Sequence, residues 1–256
     1  MKKKILICND DGIESGGIIA LAERFAEKNE VRVFAPDGNR SACSHSLTLG
    51  QTVSLFPYDK IKGCKAYCTT GFPADCVKMA RHIFSDFVPD LVLSGINKGH
   101  NFGSDVLYSG TVSIAYEAAF FGHPAFAFSA FSHGESDFKL YAAYAEKIVD
   151  KLLPLSDGRC VWNVNFPDCG VKIRGVKFAA LGNCVYKDFY DKRGENEYVL
   201  RSETEVDGAN GEDTDVTLIR KGFITVTPLL YDRTDYGKMA ELNDKLLKDE
   251  DGICAE

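Results

Sequence analysis

No apolar run in the 256 residues approaches the roughly 20 that a membrane-spanning helix requires, so a bilayer partner is not expected. Residues 1–4 lead straight into Ile5, Leu6 and Ile7, a run too short for a signal peptide, which points to the cytoplasm. Paired metal-binding cysteines are also missing. The nine cysteines, at 8, 43, 64, 68, 76, 160, 169, 184 and 254, contain no C-x-x-C, and the Cys64/Cys68 spacing has no second pair or histidine doublet to complete a zinc site. Free buried thiols in a reducing compartment are therefore expected. No G-x-G-x-x-G turn follows an expected strand, which argues against a dinucleotide-dependent oxidoreductase. Positive charge is short, with 30 lysines and arginines against 37 acidic residues and a formal charge of -7, so no nucleic acid polymer is expected as partner. Internal repeats and low-complexity tracts are absent.

What is present is ordinary globular material, 45% hydrophobic and 26% charged, enough to bury a core without a metal or disulfide. A metal, if used, would serve function. Short apolar runs at 3–8, 31–35, 90–94 and 125–129 alternate with helically spaced stretches at 17–28, 74–84 and 111–121. That alternation predicts an α/β fold whose parallel sheet is covered by helices on both faces, with ligands at the carboxyl ends of the strands. The second half is less regular: a helix over 139–153, strands over 160–165, 176–181 and 223–227, strands near Val185 and Tyr198, and a polar C-terminal helix. A boundary near Phe131 divides a core of residues 1–130 from a smaller C-terminal part, 131–256. The acidic, glycine-containing stretch 203–215 lacks EF-hand spacing and reads as a solvated loop.

Four loops concentrate polar chemistry. The first strand delivers Asp10 and Asp11 side by side, and two close carboxylates repel unless a positive charge compensates. A hard divalent cation suits such oxygen ligands, while helix capping and turn formation explain Asn9-Asp10-Asp11-Gly12 equally well. After the second strand, residues 37–46 carry hydroxyls, Arg40 and His45. After the strand at 90–94, residues 95–103 carry Asn97, Lys98, His100 and three glycines that allow close backbone approach. Ser109-Gly110-Thr111 then opens a helix whose free N–H groups can cap locally, bind an anion, or do both. Gly71-Phe72-Pro73-Ala74-Asp75 reads first as helix initiation. His45 and His100 are candidate proton-transfer groups, whereas His82, His123 and His133 read as surface or packing residues.

The loops in this order, with Asn9-Asp10-Asp11-Gly12, then Ala35-Pro36-Asp37 through Ser46-Leu47-Thr48, then Ser94-Gly95-Ile96-Asn97 and Tyr108-Ser109-Gly110-Thr111-Val112, closely resemble the SurE family of survival proteins. Thr214-Asp215-Val216 and the segment 224–229 resemble the family's closing pattern, so the likeness covers nearly the whole chain. The resemblance implies a Rossmann-like first domain, a more variable C-terminal part with a hairpin extension, and homodimers or homotetramers. It also implies hydrolysis of nucleoside 5'- and 3'-monophosphates with magnesium or manganese. Asp10, Asp11, Ser41 and Asn97 would hold the metal, with Asp10, Asp11 and Asn97 as the catalytic set. Ser109, Gly110, Thr111, Asn101 and Gly99 would bind phosphate. Two positions depart from the pattern, Phe72 in Gly71-Phe72-Pro73 and His100 in Gly99-His100-Asn101, and both bear on the pocket for sugar and base rather than on the metal.

The chemistry implied is attack on phosphorus by metal-bound water, the cation polarising a phosphoryl oxygen. No serine or cysteine sits beside an evident base, so a covalent intermediate is not expected. A receiver-like sensing module also pairs acidic residues with magnesium, but the strand ending at 94 offers Ser94 and Asn97 where that module needs an aspartate.

Overall fold

Successive residues of a strand face opposite sides of its sheet, and β1 (Lys4–Cys8) is apolar on both: Ile5 and Ile7 join one core, Leu6 and Cys8 the other. A strand buried on both faces must sit mid-sheet, and β1 does. The computed structural model of the chain describes residues 2–131, 134–205 and 210–246. After β1 come α1 (Gly16–Ala26), β2 (Glu30–Pro36), β3 (Leu55–Tyr58), β4 (Lys65–Thr69), α2 (Pro73–Ile83), β5 (Leu91–Lys98), α3 (Gly110–Phe120) and β6 (Ala125–Ala130). The second half adds α4 (Glu135–Leu152), β7 (Cys160–Phe166), β8 (Gly175–Phe178), β9 (Val185–Lys192), β10 (Tyr198–Glu205), α5 (Asp215–Arg220), β11 (Phe223–Leu230) and α6 (Tyr236–Leu246).

Among the described residues, nine strands form one sheet in the order β3-β4-β2-β1-β5-β6-β7-β11-β8, and β9 pairs with β10 in a separate antiparallel hairpin. Pairing is parallel from β4 through β7; β3 on β4 and β11 on β7 run antiparallel. Helices α1 and α4 cover one face, where Ile18, Leu21 and Phe25 meet Phe126 and Phe128; α2 and α3 cover the other, where Val77 and Val112 meet Phe34 and Val92. Phe128 is fully buried, and its truncation to alanine would cost about 3–5 kcal/mol. The parallel sheet and its two helical layers are those expected from the alternating pattern. The sheet runs unbroken past position 131, because β7 lies beside β6.

From β1 the chain turns one way to β2 and β4 and then returns to place β5 on the other side, so the crevice above β1 and β5 is the switch point where ligands bind in such folds. The strand expected to end at Ser94 continues to Lys98, which puts Asn97 on the sheet rather than in a loop. β3, β4 and α5 were not foreseen: they have four, five and six residues, and β3 and β4 are only partly buried, so neither shows the continuous apolar run that marks the central strands. Residues 206–209 of the acidic stretch, His133 and Cys254 lie outside the described residues. The other eight cysteines are free, with Cys8 and Cys76 buried and the remainder half-buried.

Candidate active site

Asp10 and Asp11 leave the end of β1 at the switch point. Helix α1 takes Ser15 as its N-cap, so neither carboxylate is spent on capping. Asn9 braces the turn by donating from Nδ2 to the Gly12 carbonyl at 2.9 Å. Asp10 is 4% exposed, and its Oδ1 accepts the Thr111 hydroxyl at 2.5 Å while the Arg40 N–H donates to its main-chain oxygen at 2.7 Å. Gly110 makes this approach possible, since a Cβ there would stand 2.8 Å from both Cβ and Oδ2 of Asp10. Asp11 accepts the Lys98 main-chain N–H on Oδ2 at 2.9 Å.

Burial pushes the Asp10 carboxyl up to about 6, with the neighbouring Asp11 charge adding to the rise and the Thr111 hydroxyl opposing it. Burial likewise raises Asp11, against the Lys98 N–H and ammonium charge. The repulsion expected for adjacent carboxylates is therefore present, reinforced by a desolvation that the sequence alone does not reveal.

Asn97 donates from Nδ2 to the Gly99 carbonyl at 2.9 Å, which leaves Oδ1 as an acceptor. Ser41 donates its hydroxyl proton to Asn39 Oδ1 at 2.6 Å and keeps its oxygen lone pairs. Ser109 caps α3 by accepting the Val112 N–H at 3.0 Å, so its hydroxyl proton remains available at the positive end of the helix. Capping and anion binding are compatible here. Asn101 is held by four bonds: its N–H donates to Asn165 Oδ1 at 2.8 Å and its Nδ2 to Ser129 at 2.8 Å, while its carbonyl accepts from Asn163 at 2.7 Å and Asn165 at 3.0 Å.

Asp10, Ser41, Asn97, Asn101 and Ser109 all line one cavity of about 490 Å3. Asp11, Gly99, Gly110 and Thr111 are not on its wall; each bonds to, packs on or adjoins a residue that is. Among the described residues no three histidine, cysteine, aspartate or glutamate side chains gather in a metal-holding group.

The two candidate histidines point elsewhere. His45 meets the Glu117 carboxylate at 2.8 Å, and Lys78 meets the same carboxylate at 2.5 Å. His100 bonds through Nε2 to the Phe166 carbonyl at 2.8 Å and stacks on Phe102, and its burial holds its pKa below the ordinary histidine value. Phe72 caps α2 while Asp75 accepts its N–H at 2.9 Å, which is the helix-initiation role; it does not line the cavity.

With this geometry in view, the family model for Survival protein SurE matches residues 5–188. The chain belongs to the SurE family. A protein of Caldanaerobacter subterraneus subsp. tengcongensis named 5'-nucleotidase SurE is 38% identical over 251 residues, covering 94% of this chain and 97% of that relative. A Campylobacter lari protein of the same name is 37% identical over 254 residues, covering 94% and 97%. The crystal structure of the SurE protein from Aquifex aeolicus matches with a TM-score of 0.81 at 36% identity, over 96% of this chain and 100% of that one.

Half of this SurE cavity escaped the sequence reading. Asp105 and Tyr108 come from the short 3-10 helix Gly103–Leu107 and the residue after it; Tyr186 and Asp188 come from β9, Leu200 and Ser202 from β10. Their alternation along each strand was a readable signal of a shared face. That the face lies over the crevice depends on partners far away in sequence. Asp215, fully buried, accepts the N–H groups of Gly103 at 2.9 Å and Gly182 at 2.8 Å, and Ser104 exchanges two 3.2 Å bonds with the main chain of Cys184. Gly103, at φ +53°, leaves no room for a Cβ, which would stand 2.9 Å from the Gly182 carbonyl oxygen.

Proposed function

We propose that the chain is a 5'-nucleotidase, a phosphoric monoester hydrolase that converts nucleoside 5'- and 3'-monophosphates to nucleoside and phosphate with the aid of magnesium or manganese. The family and its relatives named 5'-nucleotidase SurE support the reaction class. The observation that carries the metal is the donor set. Asp10, Asp11, Ser41 and Asn97 each commit one hydrogen-bonding atom to the scaffold, which fixes the side chain and leaves oxygen donors over. Two of the four are carboxylates whose pKa values are raised by burial, and the Asp11 charge adds to the rise at Asp10. An all-oxygen set of this kind fits a hard cation. When bound, such a cation supplies Lewis acidity and lowers the pKa of a nearby water.

This chain's own residues do the rest. Ser109 and the N–H groups of Gly110 and Thr111 at the start of α3 hold the phosphate and stabilise charge on its equatorial oxygens, with Asn101 and Gly99 beside them. The Thr111 hydroxyl favours the ionised form of Asp10, and Asp10 or Asp11 orients the attacking water. Neither Ser41 nor Ser109 has a histidine, lysine or carboxylate among its hydrogen-bond partners, so the nucleophile is water rather than a serine. The protein works in the cytoplasm, to which its free thiols are suited, and as a homodimer or homotetramer.

The test is phosphate release from a panel of nucleoside monophosphates after EDTA treatment, then with magnesium or manganese restored, beside Asp11→Ala. Turnover should vanish with EDTA, return with metal and be down by about a thousandfold in the variant. Metal-independent turnover would refute the donor set, and a folded protein inactive on every nucleotide would refute the hydrolase.

A further inference from the structure

A second groove, of about 600 Å3, lies along the second half of α3, where Tyr116, Glu117 and Phe120 face Lys78 of α2 and, beyond β11, Tyr231 and Arg233. Lys78 and Arg233 give it two permanent cations against one carboxylate, in a chain whose formal charge is -7. Glu117 is already met by His45 at 2.8 Å and Lys78 at 2.5 Å, whereas Arg233 has no carboxylate partner among the described residues. The Arg233 charge reaches Tyr116, where it opposes the rise that burial imposes on the phenol. Phe120, 66% exposed, meets Tyr231, 43% exposed, edge to face with ring centroids 5.9 Å apart. An unpaired guanidinium and an exposed aromatic pair thus share one concave surface.

The same groove touches the loop that carries Ser41. His45 lines it, four residues after Ser41, and between the two Ala42 and Ser44 hold φ of +56° and +54°, the left-handed region that disfavours any residue with a side chain. Such a backbone persists only where its surroundings over-determine it. Ser44 donates its N–H to the Tyr108 carbonyl at 3.0 Å and its hydroxyl to the Leu107 carbonyl at 2.7 Å, and the His45–Glu117 contact holds the next residue.

We propose that this groove is a second, non-catalytic nucleotide site, a role beyond the hydrolase reading: the base rests on Phe120 and Tyr231, the phosphate pairs with Arg233 and Lys78, and occupancy slows hydrolysis by loosening His45 from Glu117. A ring and an anion carried on one small molecule is the chemistry this lining complements, since bases stack on aromatic faces and a guanidinium takes a phosphate in two parallel bonds. A phosphate held by Lys78 competes with Glu117 for the same ammonium, and for the His45 ring beside it. With that anchor weakened, the left-handed turn at Ala42 and Ser44 relaxes and Ser41 moves off the donor set.

The experiment uses cyclic AMP, a nucleotide without a phosphomonoester, as the probe, and para-nitrophenyl phosphate, a sugarless monoester, to report turnover. Calorimetric titration with magnesium present should show cyclic AMP binding, weakened about tenfold or more in Arg233→Glu and about fivefold or more in Phe120→Ser. Saturating cyclic AMP should lower kcat for para-nitrophenyl phosphate by about fivefold or more and leave KM within about twofold. Arg233→Glu should abolish that inhibition and keep the kcat measured without cyclic AMP. No detectable binding, binding unchanged in either variant, or inhibition that acts only by raising KM, which is competition at the active-site cavity, would overturn the proposal. Binding without a fall in kcat would overturn the link to the Ser41 loop. Binding is read without turnover, so a chain that hydrolyses no monoester would refute the hydrolase while the titration still judged the groove. Arg233 and Phe120 are exposed, and a thermal melt checks that both variants are folded.

Discussion

Thr111 donates its hydroxyl to Asp10, whose carboxyl burial pushes up to about 6, and that bond works against the rise by favouring the charged form. Thr111→Val keeps the shape and removes the donor. The expected result is a fall in kcat of about tenfold or more and a requirement for more metal to reach half-maximal rate, with a melting temperature changed by only a few degrees. A kcat within about twofold of the unaltered chain would mean the bond is dispensable. The acidic pair was legible at this scale because adjacent carboxylates ending an apolar strand have few structural uses. Its burial was not, since that depends on Gly110 closing over Asp10 from 100 positions away. Nor could the sequence tell that His45 and His100 are engaged outside the cavity, because a loop histidine reveals nothing of what its ring will meet.

Among elements, α3 does two jobs: its first turn faces the cavity, and its second half carries Glu117, only 6% exposed at its side chain, which binds His45 of the Ser41 loop and Lys78 of α2. Burial pushes the Glu117 carboxyl up, but the bonds from His45 and Lys78 outweigh that and hold it below its ordinary value. A depressed carboxyl contributes stability that is fully present above its unfolded pKa and is lost as pH falls through the folded one. Glu117→Gln should therefore destabilise the chain by about 1–3 kcal/mol near neutral pH, and the gap to the unaltered chain should close below about pH 4. Parallel melting curves across pH check this; a gap independent of pH would assign the cost to packing.

The hairpin of β9 and β10 is joined to the sheet through Asp215, a buried carboxylate accepting three backbone N–H groups, from Gly103, Gly182 and Val216. Asp215→Ala should cost about 3 kcal/mol, some 6–12 °C in melting temperature, and raise KM for nucleotides more than for para-nitrophenyl phosphate. An equal effect on both substrates would restrict Asp215 to stability. The strands of the hairpin were foreseeable from their composition, whereas their place over the crevice was not: a two-stranded ribbon has no preferred resting position until distant residues supply one.

On the scale of the whole molecule, residues 236–245 of α6 are exposed, and Tyr236, Met239 and Leu242 recur at three-residue intervals along one side of it. Tyr190, Tyr198 and Leu200 are exposed on the hairpin as well. These apolar groups fit the proposed homo-oligomer. Light scattering should give a multiple of the chain mass, reduced to a single chain in a Met239→Glu, Leu242→Glu double variant; a monomeric unaltered chain would remove the proposal. The sheet itself was the most legible part of the fold, because buried parallel strands are continuous apolar runs. The antiparallel arrival of β11 between β7 and β8 had no local signature, since strand order is set by long-range pairing.

That arrival has a consequence for synthesis on the ribosome. The residues proposed to hold metal and phosphate are all made by position 111, yet among the described residues β8 pairs only with β11, residues Phe223–Leu230, after the hairpin and Asp215 have been made. A nascent chain halted before Phe223 would carry the chemistry of the site beside an unpaired β7 edge and an unanchored β8. Such a truncated chain is expected to be more open to proteolysis at residues 170–205 than the finished one, and protease digestion of arrested chains would reveal it. The first half of the site thus waits, during translation, for the end of the chain to close it.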